Sequence, residues 1–195
     1  MSRTNLAILL FALSAFTSSS FANEGIILER FHKRSLNEIK QERKNQPFLV
    51  VFWSKDCGYC VKEMDMLADL KPDNPDLEIV LISTDTDLDS QTAQAVLDQT
   101  GLSVDRIWVF EQEFSKRMYA SVDETWSGEL PNTLFLNSQH EFQSVKGEVN
   151  EDMVLGWLEY IREEQPRTSP ENTPAKKAPS TIQRVSDWAD SINLF

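Results

Sequence analysis

At 195 residues the chain has room for one domain with extensions rather than two well-cored ones. Its 41% hydrophobic content is ordinary for a globular protein; a core of roughly 140 residues buries about two-thirds of its unfolded surface without covalent help. The net charge of −12 argues against nucleic acid as a partner, because nothing is present in excess to neutralise phosphates, and against docking on anionic lipid.

The first segment stands apart. Arg3, an apolar run over residues 6–16, and small residues at the −3 and −1 positions of a cut after Ala22 have the layout of a cleaved export signal spanning residues 1–22. The run falls short of the roughly 20 residues of a membrane span. No cysteine follows it to carry a lipid. An exported chain is expected in the periplasm or an equivalent oxidising space, where a cysteine pair must be managed by partners.

Next, residues 24–31 are expected to form a short entry strand. Ser35-Leu36-Asn37-Glu38 has capping-box spacing and predicts a helix to about residue 44, which Pro47 ends. Residues 48–53, Phe-Leu-Val-Val-Phe-Trp, are apolar on both faces, as a central strand covered by helices must be. Met64, Leu67 and Leu70 recur at helical spacing over residues 61–70, until Pro72 and Pro75 stop the pattern. A second doubly buried strand is expected over residues 77–82. A helix follows over residues 89–99, with Gly101 placed to end it. Then come a strand at 106–110, a short helix at 113–120, strands at 133–137 and 141–147, and a closing helix at 150–162. Strands alternating with helices, then a hairpin and a last helix, make a mixed α/β sheet layered by helices on both faces.

From Gln165 onward Pro166, Pro170, Pro174 and Pro179 punctuate a Ser/Thr/Lys stretch, and residues 166–180 are expected to be a linker. Beyond it Ile182, Val185, Trp188, Ala189 and Ile192 again fall at helical spacing. This short amphipathic helix over residues 181–195 either packs back on its own domain or docks on a partner.

Cys57 and Cys60 are the only cysteines, two residues apart where a strand hands over to a helix. That spacing and placement read as a redox pair. A helix N-terminus carries partial positive charge and unpaired N–H groups, which favour a thiolate on the first cysteine. One turn of helix puts the second sulfur within reach. Closing so small a loop stabilises a fold by only about 2 kcal/mol, so the bridge serves chemistry better than stability. The alternative is a metal pair. Zinc requires four N or S ligands, and only His32 and His140 accompany the cysteines, neither at motif spacing. No metal and no cofactor is expected beyond the cysteine pair itself. Glu63, one turn past Cys60, is either a solvated helix acid or a partly buried carboxylate able to move a proton to or from the sulfur.

The stretch Phe52-Trp53-Ser54-Lys55-Asp56-Cys57-Gly58-Tyr59-Cys60-Val61-Lys62-Glu63-Met64 resembles the active-site signature of the thioredoxin superfamily, and within it the TlpA/ResA-like branch of exported thiol–disulfide oxidoreductases. Glu63 matches an acidic residue of that branch, and Leu130-Pro131-Asn132-Thr133 matches its proline loop. The resemblance covers roughly residues 31–165. It implies a thioredoxin-like domain over residues 23–165 and dithiol–disulfide exchange, with Cys57 as attacking thiolate and Cys60 as buried resolving thiol. It also implies a cis bond before Pro131 and a substrate groove drawing on Trp53, Gly58, Tyr59, Leu130 and Pro131. The expected partners are protein thiols or disulfides and a membrane thiol carrier as electron donor. A reductase of the kind that keeps apocytochrome c cysteines reduced is favoured. A disulfide isomerase or oxidase is the alternative, since the Gly-Tyr dipeptide resembles that of the DsbC-type isomerases. A non-catalytic adaptor that grips peptides at the Pro131 loop is the alternative from another class. Three departures bear on this. Asp56 stands where thioredoxin has tryptophan and opposes the thiolate, with Lys55 as a possible offset. Val51 stands where thioredoxin has a buried aspartate. Asp65 stands where the branch usually has proline.

Overall fold

The computed structural model describes residues 25–112 and 116–164. The segments expected to be an export signal, a linker and a closing amphipathic helix fall outside these residues. In chain order the elements are β1 (Ile27–Phe31), α1 (Ser35–Glu42), β2 (Phe48–Trp53), α2 (Gly58–Leu70), β3 (Ile79–Ser83), α3 (Ser90–Thr100), β4 (Arg106–Phe110), α4 (Lys116–Val122), β5 (Asn132–Leu136), β6 (Phe142–Lys146) and α5 (Glu151–Glu164). A single 3₁₀ turn, Lys71–Asp73, closes α2 around Pro72. The strands form one sheet in the order β1-β4-β3-β2-β5-β6.

β2 is the axis of this sheet. All six of its residues are buried. It runs parallel to β3, with Trp53 opposite Ser83, and antiparallel to β5, with Phe52 opposite Asn132. Strand alternation sends Leu49, Val51 and Trp53 to one face and Phe48, Val50 and Phe52 to the other. The first set packs with Met64 and Leu67 of α2, Ala93 and Leu97 of α3, and Val154, Trp157 and Leu158 of α5. The second packs with Leu36 and Ile39 of α1, Met118, Tyr119 and Val122 of α4, and Trp126. Each fully buried large side chain contributes on the order of 1.5–3 kcal/mol, so two cores share the work of holding the sheet flat between helices. Among the described residues no helix is long and apolar enough to cross a membrane.

Several expectations shift. The helix after the cysteines begins at Gly58, not residue 61, because Cys57 itself caps it. The second strand starts at Ile79: Leu77 is buried but closes a turn, its N–H donating to the Asn74 carbonyl at 2.9 Å. Asp89 is the cap of α3 rather than its first residue, accepting from the Thr92 N–H at 2.8 Å, and Gly101 ends the helix at φ 69°. The capping box at Ser35 does not form. The Ser35 hydroxyl oxygen accepts from the His32 N–H at 3.0 Å, and Arg34 takes the cap position without a side-chain bond. Glu38 pairs with His32 at 3.6 Å instead of reaching back to a cap. The described part of the short helix runs Lys116–Val122, because its buried face ends on Val122.

Candidate active site

Two parallel strands deliver the site. Where β2 and β3 end side by side, the Thr84 N–H donates to the Trp53 carbonyl at 2.9 Å. The next residue, Asp85, takes hold of the segment leaving β2. One carboxylate oxygen accepts from the Ser54 hydroxyl at 2.7 Å, the other from the Lys55 N–H at 2.6 Å and the Ser83 hydroxyl at 3.1 Å. The chain then turns, with the Cys57 N–H donating to the Ser54 carbonyl at 3.0 Å. Cys57 sits in extended conformation as the cap of α2, its sulfur accepting from the Cys60 N–H at 3.2 Å. The two cysteines are joined in a disulfide, Cα to Cα 5.3 Å. Cys57 is partly exposed, while Cys60 has no exposed surface. An outer sulfur open to attack and an inner one shielded is the asymmetry that dithiol–disulfide exchange uses.

Glu63 lies in the core, 1% exposed. Helical periodicity puts it on the same face as Cys60, one turn on. Its carboxylate accepts from the Thr133 hydroxyl on β5 and from the Val149 N–H at 3.2 Å, just ahead of α5. Burial pushes its pKa up to about 7, against the pull of these two hydrogen bonds, with a smaller push from the charge of Glu148. Of the two readings of Glu63, the solvated helix acid is therefore the one that fails.

The Leu130–Pro131 bond is cis. The Phe52–Asn132 pairing places Pro131 opposite Trp53, at the end of the sheet from which the cysteine loop springs. Pro131 is held from the far side, its carbonyl accepting from the Gly147 N–H at 2.8 Å. Leu130 is half-buried and touches both cores. Gly58 is exposed, and Tyr59 is 59% exposed with the Lys62 ammonium 5.2 Å from its ring centre. Trp53 does not belong with these surface groups. It is 0% exposed, because the strand alternation that includes Leu49 and Val51 points it into the core, so it supports the loop from beneath rather than meeting a substrate.

Lys55 is held mainly by Asp87, and its attraction to Asp56 is the weaker one. Its ammonium is bound by both oxygens of Asp87 at 2.9 Å, a hydrogen-bonded pair that raises the lysine pKa and lowers that of the aspartate. Three contributors escaped sequence reasoning: Asp85, Thr133 and Val149. For Asp85 a signal existed, since a polar residue just past one buried parallel strand lies beside the loop leaving its neighbour. Thr133 and Val149 come from distant segments; Thr133 lies in the stretch that matches the proline loop, but nothing local marks either residue as a partner of Glu63. Among the described residues no group of His, Cys, Asp and Glu is placed to hold a metal ion.

The AhpC/TSA family model matches residues 21–145. No curated protein matches the chain. Among solved structures, a DsbF homologue from Corynebacterium diphtheriae aligns at 20% identity and a TM-score of 0.51, over 62% of this chain and 74% of that one. A secreted Mycobacterium tuberculosis disulfide oxidoreductase homologous to E. coli DsbE aligns at 18% identity and a TM-score of 0.48, over 61% and 84%. StoA from Bacillus subtilis aligns at 18% and 0.45, over 58% and 83%. The family match spans well over half of the residues, and with this sheet and this cysteine pair the chain belongs to the AhpC/TSA family as a thioredoxin-like thiol–disulfide oxidoreductase.

Proposed function

We propose that the protein is an exported reductase of protein disulfides. The observation that carries this reading is the stacking of a partly exposed Cys57, a buried Cys60 and, one turn below, a buried carboxyl whose pKa lies near 7. In the dithiol state the Cys57 thiolate attacks one sulfur of a substrate disulfide. A mixed disulfide forms and one substrate thiolate leaves. Cys60 then gives its proton to the Glu63 carboxylate and attacks the Cys57 sulfur, which releases the second substrate thiolate and closes the Cys57–Cys60 bond. A group with a pKa near 7 can accept that proton and return it within one cycle near neutral pH. The backbone of the bend at Leu130 and Pro131, beside the cysteine loop, offers hydrogen-bonding groups to a substrate segment. Two electrons from a membrane thiol carrier reopen the disulfide. Export rests on the leader over residues 1–22, and the segment over 181–195 is read either as packing back on its own domain or as docking on such a partner.

Insulin reduction with dithiothreitol as donor tests the reaction. The mature chain should accelerate precipitation of the insulin B chain, and Cys57→Ala should return it to the uncatalysed rate. A mature chain that does not accelerate the reduction, with the protein's biological activity kept by Cys57→Ala, sinks the enzymatic reading in favour of a peptide-binding adaptor. Acid-quenched alkylation in cells tests direction: a mostly reduced pair supports a reductase or isomerase, and a mostly oxidised one sinks the reductase in favour of an oxidase or a pair held closed for structure.

A further inference from the structure

We infer that Asp85 is a positioning residue for the Cys57–Cys60 couple, setting its redox equilibrium through the backbone it grips. The inference rests on the oxidoreductase reading above. Asp85 lies on the loop after β3, outside the cysteine motif, yet its carboxylate holds the Ser54 hydroxyl and the Lys55 N–H, and Ser54 in turn holds the Cys57 N–H through its carbonyl. The grip is itself anchored, because the Ser83 hydroxyl donates to Asp85 and accepts from the Asp85 N–H, both at 3.1 Å. A chain of hydrogen bonds thus runs from the end of one core strand to the backbone N–H of the attacking cysteine.

Two effects of this arrangement have the same sign. A fixed Cys57 raises the effective concentration of one thiol at the other and favours the closed bond. A carboxylate fixed beside the loop disfavours a thiolate there and so disfavours the open form. Of the other charged groups around the cysteines, Asp56 opposes the thiolate with the same sign but is exposed to solvent and more strongly screened, Lys55 is paired with Asp87, Lys62 lies over Tyr59, and Glu63 is buried one turn past Cys60.

The test equilibrates the full mature chain with mixtures of reduced and oxidised dithiothreitol. Two chain thiols become the disulfide as one oxidised dithiothreitol becomes the dithiol, with two electrons and two protons transferred. The closed fraction is read by mass shift after alkylation. In Asp85→Asn the amide oxygen keeps the serine bond, but the amide nitrogen cannot accept from Lys55 N–H, and the charge is gone. The constant for closing the disulfide is expected to fall about tenfold, equivalent to about 30 mV. Ser54→Ala loosens the grip and keeps the charge, so a fall of about threefold is expected. Asp98→Asn removes an equal charge from the far end of α3, where Asp98 accepts only from Gln94, and should leave the constant unchanged. A constant within twofold of the parent in both loop variants overturns the inference, as does an equal shift in Asp98→Asn. If the parent chain does not exchange with dithiothreitol at all, the oxidoreductase reading fails first, and that result is distinct from either.

Discussion

On one face of the sheet Phe31 stacks on Phe110 at 5.3 Å, Phe52 lies 4.5 Å from Trp126, and Tyr119 packs 4.6 Å from the same tryptophan. On the other face the filling is mostly aliphatic and sulfur-bearing, with Glu63 and Cys60 set into it. The aromatic face has few polar demands and can be packed for stability alone. The face under α2 tolerates a buried carboxyl because two donors, from Thr133 and Val149, reach it from separate elements. One sheet thus separates the layer that holds the fold from the layer that holds the chemistry, and β2 is the strand both layers share.

Substitutions on the two faces should separate the same way. The largest effect belongs to Cys57→Ser, which should bring insulin reduction to background while thermal melting shows a folded protein. Phe52→Ala, on the aromatic face, should cost about 3–5 kcal/mol by denaturant unfolding, yet leave the exchange rate of the folded fraction close to the parent's. Loss of exchange without loss of stability in that variant would break the separation.

Glu63→Gln sharpens it further. In the unfolded chain this carboxyl ionises near its ordinary 4.5, and in the folded chain near 7. Between those values the native state holds the extra proton. The group's contribution is therefore most favourable below the lower value and falls as pH rises to the upper one. Replacing the carboxyl by an amide should leave stability at pH 4 little changed and raise it at pH 8 by up to about 3 kcal/mol, while slowing the resolving step by Cys60. A parent whose stability does not decline between pH 5 and 7 relative to this variant contradicts the assignment. The smallest expected effect is Asp89→Ala, which removes the cap of α3 and should cost about 1 kcal/mol in unfolding without changing exchange.

The strand at 48–53 was legible residue for residue, since six apolar residues between a proline and a polar loop admit few other places in an α/β sheet. The cysteine pair and Glu63 were legible for a similar reason: short-range spacing carries their geometry. Local pattern misled at Ser35, where the capping spacing was present but the hydroxyl found His32 instead. It misled again at Trp53, where nearness to the motif suggested contact with substrate and strand alternation turned the ring inward. Asp85 reaches Ser54 and Lys55, and Thr133 reaches Glu63, only because the sheet brings their strands together, so no window of sequence around them contains those partners.

The pairing of β1 with β4, Ile27 opposite Arg106 and Phe31 opposite Phe110, has a kinetic consequence. Among the described residues β1 is the first strand and has β4 as its one neighbour, which is made most of a domain later. Loop-closure entropy makes such a contact a late one. Until it forms, both β1 and the outer edge of β4 present unpaired backbone, the form most easily captured by another strand or held open by a chaperone. A chain threaded through a membrane from its N-terminus would therefore carry β1 across first and dock it near the end of folding, which keeps the polypeptide open for passage and closes the sheet only on the far side.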